Sequence, residues 1–387
     1  MKNIAIAILL VASFGLSCSS ISTINIFGKK TPHEAYEDKL EDSDLGKTIM
    51  GRQWLAASQT ALEDPQEIQI PYKQRGNFQT DKPRALGLKF ISKRGEKITF
   101  QIAKNPGTDL GIYADLFCHE GSEFSHLFSA DTNTSQFSFD IEEPGSYILR
   151  LQPGLFQPGE YSLAVSVGPS LVFPVSGNKA KIESFWGDGR DRGKRSHEGI
   201  DIFAAKRTPV VAASDGIITG VKDGGIGGKT VWMRTTNKNI HLYYAHLDKQ
   251  LVYEGQVVKK GETLGLVGNT GNAKYTASHL HFGIYTSSGP VDPLPFVNQA
   301  IKNTPEVPRK SLTNYLRLTK TKKLSDGIVI KANTLLVPLA VCAKDYITEL
   351  PNGKLLRISF NSVESVSQTV GLNKSMAEIQ YSKGKKS

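Results

Sequence analysis

The chain has 387 residues, 39% of them hydrophobic and 22% charged, with a formal net charge of +10. That length exceeds what one hydrophobic core organises, so two or three domains are expected, and three cysteines exclude a disulfide-built scaffold. The charge is uneven, since residues 301–387 hold 15 Lys and Arg against 6 Asp and Glu, but no nucleic-acid signature accompanies it and no nucleic-acid partner is expected.

Lys2 precedes an apolar run over residues 4–14, shorter than the roughly 20 residues a membrane-spanning helix requires. With the small residues that follow, it reads as a secretory signal peptide at 1–18. Phe14-Gly-Leu-Ser-Cys18 is similar to a bacterial lipoprotein processing site, which implies lipid on Cys18 and a membrane anchor. It departs from the usual pattern in placing Gly15 where leucine is preferred, and ordinary signal cleavage nearby is the alternative. Cys118 and Cys342 then remain, either paired in an oxidising compartment or present as two buried thiols.

Residues 19–66 read as a polar leader and a helical strap, with Leu40, Leu45, Ile49, Trp54 and Leu62 on the apolar positions of 34–62 and Pro65 ending it. Over 67–168 the pattern changes to short strands (86–90, 97–103, 111–117, 136–141, 145–151 and 159–167) punctuated by Gly, Pro, Asn and Asp. An antiparallel β-sandwich is expected, packing on, orienting or partly covering the next domain.

The chemistry concentrates in the third segment, 169–298. Five of the eight histidines lie between Ser196 and Tyr285, in Ser196-His-Glu-Gly-Ile-Asp201, Tyr243-Tyr-Ala-His-Leu247 and His279-Leu-His-Phe-Gly283. Alternation over 279–285 points His279 and His281 out of one face of a strand. Leu242, Tyr244 and His246 share one parity, from which His246 is expected to project toward that face. His197 and Asp201 would lie roughly 13 Å apart in an extended strand, so the chain must bend between them, and Gly199 is expected to permit it. No cysteine occurs from 119 to 341, which favours a site of three protein ligands and one open position over a closed structural one. Should His197, Asp201 and one of the paired histidines hold an ion, two histidines remain for proton transfer and oxyanion stabilisation. The isolated His33, His119, His126 and His241 read as surface or satisfied core residues.

His197-x-x-x-Asp201, His279-x-His281 and the Tyr-x-His-Leu element at 244–247 resemble the M23 family of zinc metallopeptidases, the lysostaphin-like peptidoglycan endopeptidases. The resemblance runs over about a third of the chain and includes Thr208-Pro-Val-Val-Ala-Ala-Ser-Asp-Gly216 and Gly255-Gln-Val-Val-Lys-Lys-Gly-Glu-Thr-Leu-Gly265. It implies one Zn2+ per chain on His197, Asp201 and His281, with His246 and His279 catalytic and water as the nucleophile. It also implies an exported protein acting on peptidoglycan in the cell envelope. The alternative is a non-hydrolytic wall-binding regulator or scaffold, since some family members have lost ligands, although none is missing here. A zinc peptidase acting on protein substrates such as glycine-rich chains is a second alternative.

Short strands at 210–213, 216–221, 229–235, 240–246, 263–268 and 279–285 favour an antiparallel β-core, making the whole chain mainly β. The glycine-rich 224–228 and 268–273 are expected as loops beside the groove, with Asn269, Thr270 and Tyr244 as substrate contacts. After a linker at 299–310 containing Pro305 and Pro308, residues 311–387 read as a small basic β domain, SH3-like, with a frayed tail at 383–387. Its charge suits an acidic wall polymer or anionic lipid head groups, or serves solubility alone. The sequence sets no oligomeric state.

Overall fold

The computed structural model describes residues 30–105, 109–190, 192–300, 302–324, 327–350, 353–367 and 380–381. Cys18, the expected signal peptide at 1–18 and the tail at 383–387 lie outside these residues. Among the described residues no helix is long and apolar enough to cross a membrane. The chain is mainly β, in antiparallel sheets.

The strap is helical but broken. Thr31 caps Pro32–Asp42, its hydroxyl accepting from Glu34 N at 3.1 Å while the Glu34 carboxylate accepts from Thr31 N at 2.8 Å. Thr48 caps Ile49–Glu63 in the same way, accepting from Gly51 N. Ser43 and Thr48 both adopt extended backbone, so the single helix expected over 34–62 becomes two with a short Asp44–Lys47 turn between. Trp54, fully buried, donates to Pro153 O at 2.8 Å, and Gln152 bridges Trp54 O and His33 Nε2. The strap is thereby pinned to one sheet of a sandwich.

That sheet has five strands, in the order Gln66–Glu67, Leu86–Ser92, Gly145–Pro153, Ile112–Glu120 and Glu123–Ala130. The facing sheet has seven, running Leu355–Ser359, Asp345–Glu349, Pro338–Cys342, Tyr72–Phe78, Gly159–Pro169, Glu96–Lys104 and Gln136–Asp140. The last part of the chain therefore does not stand alone, in contrast to the separate small β domain expected at 311–387. Cys342, Val341 and Ala340 pair with Gln74, Arg75 and Gly76, and Ala340, Cys342 and Ile347 enter the sandwich core beside Phe78 and Leu163. On the other face of these strands, Leu316, Leu318, Ile330, Val341 and Ile358 form a smaller core of their own. Cys118 and Cys342 are both buried, and no disulfide joins them.

The third unit is built on a sheet ordered Lys181–Ser184, Ile200–Phe203, His279–Thr286, His241–Leu247, Lys229–Thr235, Gly216–Asp223 and Val257–Val258. One face is apolar: Ile200, Ile202, Leu242, Tyr244, Val231, Met233, Leu280, Phe282 and Ile284 are buried in one core. Pro209–Val211, Thr263–Leu266 and Lys249–Gln250 form a small second sheet, whose Val210 and Leu264 join that core. This unit abuts the sandwich at Gly95, whose φ of +90° and contact with the Phe296 ring leave no room for a side chain.

Candidate metal centre

With the even positions of the central strands in the core, the odd ones face the cleft. Asp201 stands opposite His281 on one side, Ala245 opposite it on the other, and Phe203 opposite His279. His197 lies just before the Ile200–Phe203 strand and reaches back to the same point. Its Nε2 is 2.9 Å from His281 Nδ1 and 3.0 Å from Asp201 Oδ1, and those two atoms are 3.0 Å apart. The reason for Gly199 differs from the expected bend: a Cβ there would lie 2.6 Å from His281 Cε1 and 2.7 Å from Phe282 O. Glycine is required so that the ring can pass.

The supporting atoms leave one lone pair per ligand pointing inward. His197 Nδ1 donates to Phe185 O at 2.8 Å, which fixes the tautomer and leaves Nε2 as an acceptor. Arg190 Nη2 donates to Asp201 Oδ2 at 2.6 Å and to Ser184 Oγ at 2.7 Å, occupying the carboxylate oxygen that faces away from the histidines. Burial pushes Asp201 up, but the adjacent His197 and His281 outweigh it and hold the carboxyl well below the usual carboxylate range. Burial pulls His281 down against the opposing pull of Asp201.

Three acceptors converging at about 3 Å spacing, two nitrogens and one oxygen, fit a tetrahedral zinc ion, whose bonds of about 2.0–2.2 Å place ligand atoms roughly 3.3 Å apart. Three protein ligands leave one vertex open.

His246 reaches the cleft by a route that alternation did not reveal. Leu242 and Tyr244, which share its parity, point into the core. At His246 the backbone turns left-handed, with φ +63°, and its N–H bonds Gly227 O instead of the strand ladder. This reverses the side chain onto the cleft side. Its Nδ1 donates to Thr270 O at 2.9 Å, and His279 Nδ1 donates to Ala277 O at 2.8 Å, so each presents a bare Nε2. The two rings are 5.0 Å apart, and His246 lies 5.9 Å from His281. Burial, with His279 and His281 beside it, pushes His246 down to about 4, so the ring is neutral near neutral pH.

The cleft has a volume of about 670 Å3, and its lining residues fall between Ser184 and Tyr285. The two glycine-rich loops form one of its walls by packing backbone to backbone: Gly228 and Gly271, both at positive φ, meet where a Cβ on either would strike the other loop. The three expected substrate contacts lie elsewhere. Tyr244 is fully buried in the core, its hydroxyl accepting from Ala213 N. Asn269 donates to Lys274 O within its own loop, and the Thr270 hydroxyl bonds Leu247 O and Lys229 N. Thr270 contributes through its carbonyl, which orients His246. Arg190 and Tyr243 were not anticipated; for Tyr243 the odd parity shared with Ala245, opposite His281, was the available signal.

Fold and geometry together define a cleft on an antiparallel β sheet in which His197, Asp201 and His281 could hold a metal ion. The family described as Peptidase family M23 matches residues 195–293, so the chain carries an M23 peptidase domain. It is 40% identical over 101 residues to an uncharacterized metalloprotease of Haemophilus influenzae, covering 26% of this chain and 21% of that protein. To the peptidoglycan DD-endopeptidase ShyC of Vibrio cholerae it is 38% identical over 190 residues, covering 48% of this chain and 38% of the relative. Among solved structures, the catalytic domain of lysostaphin from Staphylococcus simulans matches with 32% identity and a TM-score of 0.28, covering 31% of this chain and 92% of that one. The chain thus spans between about a fifth and two fifths of the length of these two relatives.

Proposed function

We propose that this protein is a zinc-dependent endopeptidase that hydrolyses peptide cross-links of peptidoglycan. The observation that carries the reading is the single cleft holding three inward-facing ligand atoms and two further histidines with bare Nε2 atoms. The names of two relatives as peptidoglycan DD-endopeptidases support the substrate class. His197, Asp201 and His281 would hold the zinc ion, which when bound would supply a Lewis acid for the scissile carbonyl and lower the pKa of water to about 7. His246 and His279 divide the remaining work: one Nε2 takes the proton of the attacking water, and the other, protonated, stabilises the oxyanion and returns a proton to the leaving amine. Arg190 donates to Asp201 Oδ2 and orients the carboxylate. Export through residues 1–18, with lipid on Cys18 holding the protein at a membrane facing the wall, belongs to the same proposal.

The test is incubation of purified full-length protein with isolated cell wall. Release of peptides that is abolished by a chelator, restored by zinc and lost in His281→Ala supports the enzyme, and mass spectrometry of the products identifies the bond. A zinc-loaded protein that binds wall without releasing peptides is a regulator or scaffold instead. Cleavage of glycine-rich protein chains in preference to wall would move the substrate class.

A further inference from the structure

The cleft face of the sheet does not end at His281. Tyr243 stands opposite Gly283, and Trp232 stands opposite Tyr243 on the next strand out. The Tyr243 ring meets His281 edge-on at 5.8 Å, Trp232 lies 4.4 Å from Tyr243, and Tyr285 lies 5.1 Å from Trp232. Gly283 beside Tyr243 and Gly220 beside Trp232 carry no side chain that would cover these rings. A Cβ at Gly283 would approach Tyr285 Cε2 at 3.1 Å. All three aromatics are half-buried. The rings are not coplanar, Trp232 being tilted 34° from Tyr243 and 50° from Tyr285 and the two tyrosines standing edge to face at 81°, and together they make an aromatic shelf that starts inside the cleft, at Tyr243 and Tyr285, and continues beyond it to Trp232.

Three adjoining rings are far smaller than the roughly 800 Å2 per partner that a protein interface buries. They match the size of one or two sugar rings. The C–H face of a pyranose is flat, apolar and slightly positive, complementary to the negative face of an aromatic ring, while its equatorial hydroxyls remain in water. In peptidoglycan the peptide is covalently joined to such a sugar, so a shelf continuous with the cleft lies where the sugar would follow the peptide.

We infer that Trp232, Tyr243 and Tyr285 form a saccharide-binding shelf, on which a sugar ring of the glycan strand stacks while the attached peptide occupies the metal cleft. The inference rests on the peptidoglycan reading above, and it makes glycan-bearing peptides better substrates than the same peptides stripped of sugar.

The bland account of the same rings is cross-strand packing that stabilises the sheet, and the experiment separates the two. A β-1,4-linked N-acetylglucosamine tetramer is titrated into the full-length protein by calorimetry, and cleavage is compared on one cross-linked peptide with and without its disaccharide. In Trp232→Ala the tetramer binds about tenfold more weakly, the size of an aromatic stacking contact. The glycan-bearing substrate loses about tenfold in kcat/KM through KM, and the sugar-free peptide changes by less than about twofold. Trp232→Phe restores most of the difference. Should Trp232→Ala fail to fold, Trp232→Leu, which keeps apolar bulk without a π face, carries the same expectation.

Equal loss on both substrates makes the rings a peptide subsite or sheet packing and overturns the proposal, as does tetramer binding that is absent in the wild type or indifferent to residue 232. If the wild type cleaves neither substrate, the hydrolase reading fails, and the tetramer titration still decides the shelf.

Discussion

Arg190 donates to the Asp201 oxygen that faces away from the two histidines, at 2.6 Å, and through Ser184 to the segment that orients His197. One guanidinium thus sets the aim of the carboxylate. Arg190→Gln is expected to weaken zinc binding about 10–100-fold, as loss of a ligand's supporting hydrogen bond does elsewhere, with the fold intact by circular dichroism. Competition with a chelating dye measures it; unchanged affinity would leave Arg190 as a surface cation.

The two classes of histidine separate by what they lose. Asp201→Ala should lose the ion and the activity together. His246→Ala should keep the ion and lose about 10²–10⁴ in kcat, the scale of general acid–base catalysis. Metal analysis beside a wall-digestion assay distinguishes them, and a fully active His246→Ala protein would remove His246 from the mechanism.

Gly199 is narrow for a steric reason, so even a methyl group is expected to act at a distance of one residue from the ligands. Gly199→Ala must push the His281 ring or the Phe282 carbonyl aside, at about 1–3 kcal/mol for overpacking a fitted site. Thermal unfolding of the metal-free protein and zinc content of the loaded one should both fall.

His33 gives the strap a pH dependence. It is buried against Trp54, with its Nε2 donating to Gln152 Oε1, and it faces Arg150, Asp115, Glu34 and Glu37. Burial, reinforced by Arg150, holds its pKa below the ordinary 6.5. The unfolded chain then binds the proton first, so the stability His33 contributes is full above about 6.5 and is lost as pH falls toward its lower folded value. Compared with His33→Gln, the wild-type advantage in Tm should be larger at pH 7.5 than at pH 5.5.

Ile347 tests whether the carboxy-terminal strands belong to the sandwich. It is 1% exposed and sits in the same core as Leu163. Ile347→Ala and Leu163→Ala should each cost about 2–5 kcal/mol and lower one and the same calorimetric transition. Two transitions moving separately would describe an independent module.

Where burial follows simple alternation, the sequence was a sufficient guide. His279 and His281 project from the cleft face because Leu280, Phe282 and Ile284 are apolar, and His197, Asp201 and His281 do meet at one point. His246 defeated the same logic because one left-handed residue reverses a side chain without leaving a mark in the pattern. The strand Tyr72–Phe78 was hidden by its polarity: its inward Gln74 is satisfied by Tyr72 and Tyr161, and its Gly76 makes room for the Tyr161 ring. Tyr161 is far away in sequence, and the same holds for the return of Pro338–Cys342 to that strand. Arg190 reads as one more cation in a basic stretch until the hairpin Gly189–Arg190 with Arg195–Ser196 folds it over Asp201.

That returning strand also governs how the peptidase domain is mounted. Gly159–Pro169 leads the chain out of the seven-stranded sheet and Pro338–Cys342 brings it back, with only Tyr72–Phe78 between them. Departure and re-entry lie two strands apart but at opposite ends of the sheet, since Tyr72 pairs Val165 at the end where the chain leaves and Gly76 pairs Ala340 near the end where it returns. The peptidase is thus a cassette spliced between two parallel strands of the sandwich, leaving it at one end of the sheet and handing the chain back at the other.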